Sequence, residues 1–294
     1  MAELDGDSWA RCDRGHLHWG RFGAVGLLPY SGPGGGPGGG SGGVRVLLVR
    51  RNEWGQHGGT WGPPGGARDS DEPPMAAALR EAAEECGLPP GGVNIGGVLR
   101  DDHGGWSYQT FVAAADALFP VYAASSEITD AAWVDVGEVA SLPLHPGFGE
   151  HWPVLSEALV PVTIIVDVAN VMGSRADGWW RDRAAAALRL HDQLTPFAER
   201  GVAGLPAALA LPPLDRWFPD VVLVVEGAAR GAAFDSPGHL RVVSAPGSGD
   251  DAIVGEARAL PGRRLVVTAD RELRRRCESA GASVTGPRWL LGLL

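Results

Sequence analysis

Three glutamates, Glu81, Glu84 and Glu85, stand at i, i+3 and i+4 of a segment whose composition predicts a helix over Pro74–Cys86. Carboxylates at that spacing converge on one helix face, and like charges there cost about 0.2–0.5 kcal/mol per pair. A hard divalent cation with oxygen ligands removes the repulsion and gives the cluster a purpose. The plain alternative is a solvated acidic face. An apolar stripe of Leu79, Ala82, Ala83 and Cys86 is expected to seat the helix on its core.

A second set of acids lies later in the chain. Asp167 ends the run VTIIVD, Glu226 ends VVLVVE, Asp250 and Asp251 follow LRVVSAPGSG, and Asp270 follows LVVTA. In a parallel sheet all five would sit at the carboxyl edge, where ligands bind near the topological switch point. Acids converging there call for a cation, Mg2+ or Mn2+. Asp250 and Asp270 each precede a predicted helix, so simple N-capping is the alternative for either one alone.

The elements that must position these residues divide the chain in two. With 294 residues, two domains are expected: 1–160, and 161–294. Residues 31–43, SGPGGGPGGGSGG, read as a flexible loop between strands at Phe22–Tyr30 and Val44–Arg51. Further strands are expected at Val98–Arg100, Tyr108–Ala114 and Ala132–Val136, which with one helix suggest an α+β or sandwich-like first domain. Beyond Val160, apolar runs of strand length alternate with helical segments near 180–194, 250–259 and 271–280. That rhythm is the signature of a doubly wound parallel sheet, an α/β class.

Composition sets limits on the chemistry. All 25 basic residues are arginine, which excludes Schiff-base lysines and the lysine of a Walker A loop. Residues 1–160 hold 9 arginines against 20 acids, whereas residues 161–294 hold 16 against 15. The first half is therefore no polyanion clamp, unless a bound cation reverses its field. Cys12, Cys86 and Cys277 share no CxxC spacing, which suggests a reducing compartment and no cysteine metal site. No signal-like segment or long apolar run is seen, so a cytoplasmic protein without membrane contact is expected. Abundant Ala, Gly and Arg without lysine suggest a GC-rich bacterial genome.

The segment Gly66–Leu88 follows the spacing G-x5-E-x7-R-E-A-x-E-E-x-G-L, through Glu72, Arg80, Glu81, Glu84, Glu85 and Gly87. It strongly resembles the signature of the Nudix hydrolases, matching nine specified positions in 23. HWGRFGAVGLL, WGPPGG and AAWVDVGEVASLPLHP resemble the usual flanks, extending the likeness over residues 15–158. The resemblance implies an α/β/α sandwich with a mixed sheet. It also implies a metal-dependent hydrolase that cleaves the pyrophosphate bond of a nucleoside diphosphate linked to another group. Glu81, Glu84, Glu85 and the Gly66 carbonyl would be metal ligands, with Arg80 fixing Glu72. The catalytic base would come from a loop outside the box, with Glu127 and Asp130 as candidates. Trp54, Trp61, Trp106 and Tyr108 are candidates for stacking on a base.

In the second half, DVANVMG (167–173), GDDAIV (249–254) and TAD (268–270) resemble elements of the PIN-like nucleases of the NYN type. This likeness covers residues 161–290 and implies metal-dependent hydrolysis of RNA phosphodiesters at Asp167, Glu226, Asp250, Asp251 and Asp270, with Asn170 in the first element. Alternatively, the domain is a non-catalytic RNA- or partner-binding module that delivers substrate to the first site. Arg271, Arg274, Arg275 and Arg276 could grip phosphates or form a solvated face. Arg181 and Arg183 beside Trp179 and Trp180 make a second candidate patch.

Overall fold

The computed structural model describes residues 5–32, 43–175, 178–235 and 238–294. Most of the expected loop 31–43 lies outside the described residues. Internal contacts divide the chain into two compact units: Met1–Leu159 with Pro212–Asp215, and Val160–Leu211 with Arg216–Leu294.

The first unit opens with a hairpin, β1 (Trp9–Arg11) and β2 (Leu17–Trp19). Then come β3 (Ala24–Ser31), β4 (Arg45–Arg51), β5 (Trp61–Gly62) and α1 (Pro74–Cys86). β6 (Val93–Asp102), β7 (Ser107–Ala115), β8 (Ile128–Asp135), α2 (Val136–Val139) and α3 (Pro146–Glu157) complete it. The strands run β6-β7-β3-β4-β5, with β8 also on β4. β3 and β7 are parallel and the other pairings antiparallel, so the sheet is mixed. β3 is buried along its whole length, which suits the uncharged run AVGLLPYS.

α1 packs on β3. Pro74 opens it at a position where a missing N–H costs nothing, and Gly87 at φ 73° closes it in the left-handed conformation. The buried side of α1 is Ala77, Ala78, Ala82, Glu85 and Cys86. The expected stripe is thus rotated: Ala83 is exposed and Leu79 half-buried. Alanine is small enough to face either way, so apolar spacing alone did not fix the helix orientation. Glu85, a carboxylate, occupies the buried side.

The second unit holds β9 (Val162–Asp167), α4 (Val168–Gly173), α5 (Arg183–Arg200) and a short β10 (Arg216–Trp217) bridged to Val202. β11 (Asp220–Val225), β12 (Leu240–Ser244), α6 (Gly249–Ala259), β13 (Arg263–Val267), α7 (Arg271–Ser279), β14 (Ser283–Thr285) and α8 (Pro287–Leu291) follow. Five strands run β12-β11-β9-β13-β14, and every pairing is parallel. On one face Ile165, Val222, Val224 and Val266 pack against Ile253, Val254 and Ala257 of α6 and Leu273 and Cys277 of α7. α5 packs against β11 and β12, burying Leu190, Leu194 and Phe197. Burial on both faces explains why the central strands β9 and β11 read as unbroken apolar runs. Among the described residues, no helix is long and apolar enough to cross a membrane.

Candidate active site

The turn Gly65–Gly66 lies against α1, and both glycines are required by space. A Cβ on Gly65 would fall 2.1 Å from the Val25 carbonyl oxygen. One on Gly66 would fall 2.7 Å from Glu81 Oε1, the place that the Glu81 carboxylate fills. The Gly65 N–H donates to Glu85 Oε2 at 2.8 Å. The Gly66 carbonyl accepts from the Val25 N–H at 3.0 Å, which leaves one of its two lone pairs.

Arg80 binds this cluster together. Its Nε and Nη2 donate to the two oxygens of Glu72 at 2.9 and 3.0 Å, a bidentate pair. Its Nη1 bridges Glu81 Oε1 at 2.9 Å and Glu84 Oε2 at 3.1 Å. Through the hydrogen bond from Arg80, the Glu72 carboxyl is held below its ordinary range.

The three helix glutamates differ in environment. Glu84 is the most open, while Glu81 and Glu85 are largely withdrawn from water. Burial, with the charges of Glu84 and Glu127 added, pushes Glu81 up to about 7 despite Arg80. Burial pushes Glu85 up to about 8 against the Gly65 N–H, with Glu81 and Glu127 adding to the effect. Two carboxylates are therefore costly to ionise in the bare protein, which fits a site completed by a cation.

Glu127 is close enough for its charge to be felt by Glu81 and Glu85. Its loop is held by backbone groups: the Ala124 N–H donates to the Glu85 carbonyl, and the Asn52 N–H to the Glu127 carbonyl, each at 2.8 Å. The Asn52 side chain adds a bond to the Ser126 carbonyl at 3.0 Å. Asp130 is exposed, and its carboxylate accepts from the Ala131 N–H. Sequence reasoning missed Asn52, whose positioning role leaves no motif. It also missed Arg51, a cation near enough to act on Glu85, Tyr108 and His145. Of the aromatic candidates, Trp106 is committed elsewhere: it stacks on His18 at 4.0 Å and donates to the Gly20 carbonyl. The Tyr108 hydroxyl lies over Gly26, where a Cβ would meet it at 2.3 Å.

In the second unit, Asp167 is buried at the end of β9. It accepts from the Asn170 N–H at 3.0 Å and from Thr268 Oγ1 at 2.8 Å. Asn170 Oδ1 in turn accepts from the Ala269 N–H at 2.8 Å, tying the ends of β9 and β13 together. Glu226 Oε2 accepts from the Gly249 N–H at 2.8 Å, and a Cβ on Gly249 would fall 2.7 Å from that oxygen. Burial raises the Asp167 carboxyl, and Asp250 and Glu226 add to it. Burial also raises Asp250, with Asp270 and Glu226 contributing. Asp167, Glu226, Asp250 and Asp270 therefore feel one another.

Asp251 is exposed and ion-paired with Arg276, and its charge is also felt by Asp250. Asp270 is an N-cap, accepting from the Leu273 N–H at 2.8 Å, whereas Asp250 is not: Ser248 holds the N-cap position of α6. The arginines of α7 are largely engaged within the unit. Arg275 pairs with Glu272, and Arg274 donates to the Thr268 carbonyl. Arg183 lies 5.4 Å over the Trp179 ring, and Trp180 is exposed.

The NUDIX domain family model matches residues 35–157. A relative from Mycobacterium tuberculosis named "Putative 8-oxo-dGTP diphosphatase 3" is 42% identical over 169 residues, covering 54% of this chain and 72% of its own length. A "Nucleoside triphosphate pyrophosphatase/Nudix hydrolase fusion protein" from Bifidobacterium longum is 35% identical over 155 residues, 50% of this chain and 30% of that protein. Among solved structures, the Nudix hydrolase RenU from M. smegmatis is 39% identical and covers 52% of this chain and 94% of its own, with a TM-score of 0.47. The matched range contains the residues gathered around α1, and the chain belongs to the Nudix hydrolases as a nucleotide pyrophosphohydrolase.

Proposed function

We propose that the first unit is a Mg2+- or Mn2+-dependent hydrolase of nucleoside triphosphates, with oxidised dGTP as its leading substrate. The observation that carries the reaction is the withdrawn Glu81–Glu85 pair set against the Gly65–Gly66 turn. The relative named as an 8-oxo-dGTP diphosphatase supports the substrate class. Glu81, Glu84, Glu85 and the free lone pair of the Gly66 carbonyl are the oxygen donors for the cation, an all-oxygen set suited to a hard ion. Bound there, such a cation neutralises the polyphosphate, polarises phosphorus and lowers the pKa of nearby water.

The chain supplies the rest. Glu127, on a loop held by the Asn52 N–H and by the Ala124 bond to the Glu85 carbonyl, takes the proton from the attacking water. The water oxygen bonds to the α-phosphorus as its bond to the bridging oxygen breaks, and pyrophosphate leaves with that oxygen. Arg51 provides positive charge toward the polyphosphate, and Arg80 keeps Glu81 and Glu84 aimed. A nucleotide panel of canonical and oxidised dNTPs, ADP-ribose, NADH, dinucleoside polyphosphates and 5′-triphosphorylated RNA tests the substrate. Turnover of 8-oxo-dGTP well above dGTP is expected; preference for ADP-ribose or a dinucleotide would displace this reading.

Metal affinity should depend on pH. Both folded-state values, about 7 for Glu81 and about 8 for Glu85, lie above the ordinary carboxylate range. Below that ordinary range the pair costs the metal-free fold nothing; its stability falls as pH rises through 7 to 8, where both must ionise. Mg2+ displaces those protons. The Mg2+-induced gain in thermal stability should therefore be larger at about pH 8.5 than at about pH 6. Equal gains in a thermal-shift series would contradict the ligand assignment.

For the second unit we propose a PIN-like, NYN-type nuclease acting on RNA phosphodiesters. Its support is the strand order, which reverses between β9 and β13, beside Asp167, Asn170 and Asp270. The competing reading is a module that binds RNA without turnover. Asp167→Asn should abolish Mn2+-dependent cleavage of a single-stranded RNA while leaving its affinity within about threefold; cleavage that survives the substitution excludes a catalytic role for Asp167. An RNA bound but never cut by the wild type selects the binding module.

A further inference from the structure

The cysteine count and spacing argue against a cysteine metal site, yet the fold brings one cysteine close to three histidines. The turn of the β1–β2 hairpin carries Cys12 and His16, β2 carries His18, and the turn between β6 and β7 carries His103. One ligand atom from each of these four residues lies within 4.8 Å of every other. Absence of a CxxC pair had hidden the set, because a single cysteine meets imidazoles from two separate hairpins.

Two further observations point to a bound ion. His18 Nε2 and His103 Nδ1 are buried and have no hydrogen-bond partner. A buried polar atom left unpaired costs about 1–3 kcal/mol, so folds seldom retain two together without a ligand. The other nitrogen of His103, Nε2, lies 2.9 Å from Asp101 Oδ2. A ring that gives its Nε2 proton to a carboxylate presents Nδ1 as a lone pair, which is how metal-binding histidines are oriented.

Hydrogen bonds and one ring contact bring the four donors together. The Cys12 N–H donates to the His16 carbonyl at 3.0 Å, and the Asp13 N–H to the Gly104 carbonyl at 2.8 Å. Gly15 turns the hairpin at φ 83°, and the Trp106 ring, stacked on His18, is anchored through its Nε1 to Gly20. These contacts fix one hairpin against the other at the four donors.

We propose that Cys12, His16, His18 and His103 bind one Zn2+ as a closed structural site that clasps the β1–β2 hairpin to the β6–β7 turn. One thiolate and three imidazoles form a tetrahedral donor set for zinc, and no open position is left for a substrate. Mg2+ prefers oxygen ligands, so this site is chemically distinct from the carboxylates of α1. Binding releases the Cys12 thiol proton, and Asp101 acts as the positioning residue for His103.

Titration of the metal-stripped full-length protein with Co2+ tests the proposal by absorption spectroscopy. One equivalent should develop a near-ultraviolet thiolate-to-cobalt band and strong visible bands of tetrahedral Co2+, displaced by one equivalent of Zn2+ and unmoved by excess Mg2+. Cys12→Ser should lose the thiolate band, Asp101→Asn should weaken zinc binding by about 10–100-fold, and Glu85→Gln should leave the spectrum unchanged. Zinc-edge absorption of the wild type, which needs no variant to fold, should report one sulfur and three nitrogens. Weak or non-stoichiometric uptake, a thiolate band that survives Cys12→Ser, or an all-oxygen and nitrogen shell would overturn the site.

Discussion

Glu85→Gln should reduce turnover by about 1,000-fold or more while the metal-free protein becomes no less stable. Loss of a ligand to the catalytic cation removes several kcal/mol of transition-state stabilisation, and each 1.36 kcal/mol is about tenfold in rate. The fold has the opposite interest. Glu85 is 7% exposed, and burial pushes its carboxyl up to about 8. A neutral glutamine keeps the shape and still accepts from the Gly65 N–H, which now reaches Glu85 Oε2 at 2.8 Å. It removes a charge that costs stability as pH rises through 8. Initial rates and thermal unfolding at about pH 8.5, without and with Mg2+, separate the two effects. Loss of activity together with loss of fold would make Glu85 structural instead.

Arg80→Ala should destabilise the first unit by about 2–4 kcal/mol. Arg80 gives two bonds to Glu72 and one each to Glu81 and Glu84, and it adds one to the Ala67 carbonyl at 3.2 Å. Removing the guanidinium leaves clustered, half-buried carboxylates without their counter-charge, and that penalty exceeds the net worth of the pairs. Its side chain retains 22% exposure, so solvent screening keeps the loss below that of a fully buried pair. Saturating Mg2+ should recover part of the stability, because a cation takes over the neutralisation of Glu81 and Glu84. Urea unfolding of Arg80→Ala with and without Mg2+ measures both quantities; a loss under about 0.5 kcal/mol would mean that the network is a surface one.

Much of this site was legible in the sequence because its parts are local. The helix Pro74–Cys86 has the expected bounds, since Pro74 and Gly87 punctuate it. The pairing of Arg80 with Glu72, implied by the likeness to the Nudix hydrolases, lies within one turn-and-helix segment. The likeness to the Nudix hydrolases rests on the same residues. What sequence reading missed depends on long-range or backbone contacts. Nothing in the composition says that the Asn52 amide holds the Glu127 carbonyl. Cys12 and His103 come together only through the hairpin contacts of the folded unit. The helix Pro146–Glu157 went unread because it contains Pro153 and opens on PGFG, residues that ordinarily interrupt helices. The acids of the second unit were legible as a set, since each ends an apolar run. That Asp251 would be exposed and paired with Arg276 was not.

At the α1 carboxylates, the proposed reaction is Mg2+-dependent cleavage of a nucleoside triphosphate between its α- and β-phosphates. Phosphorus NMR of 8-oxo-dGTP incubated with the wild-type protein and Mg2+ tests it most directly. Pyrophosphate and the nucleoside monophosphate should be the only products, with no reaction after chelation. Release of orthophosphate, or turnover that persists in Glu85→Gln, would contradict it.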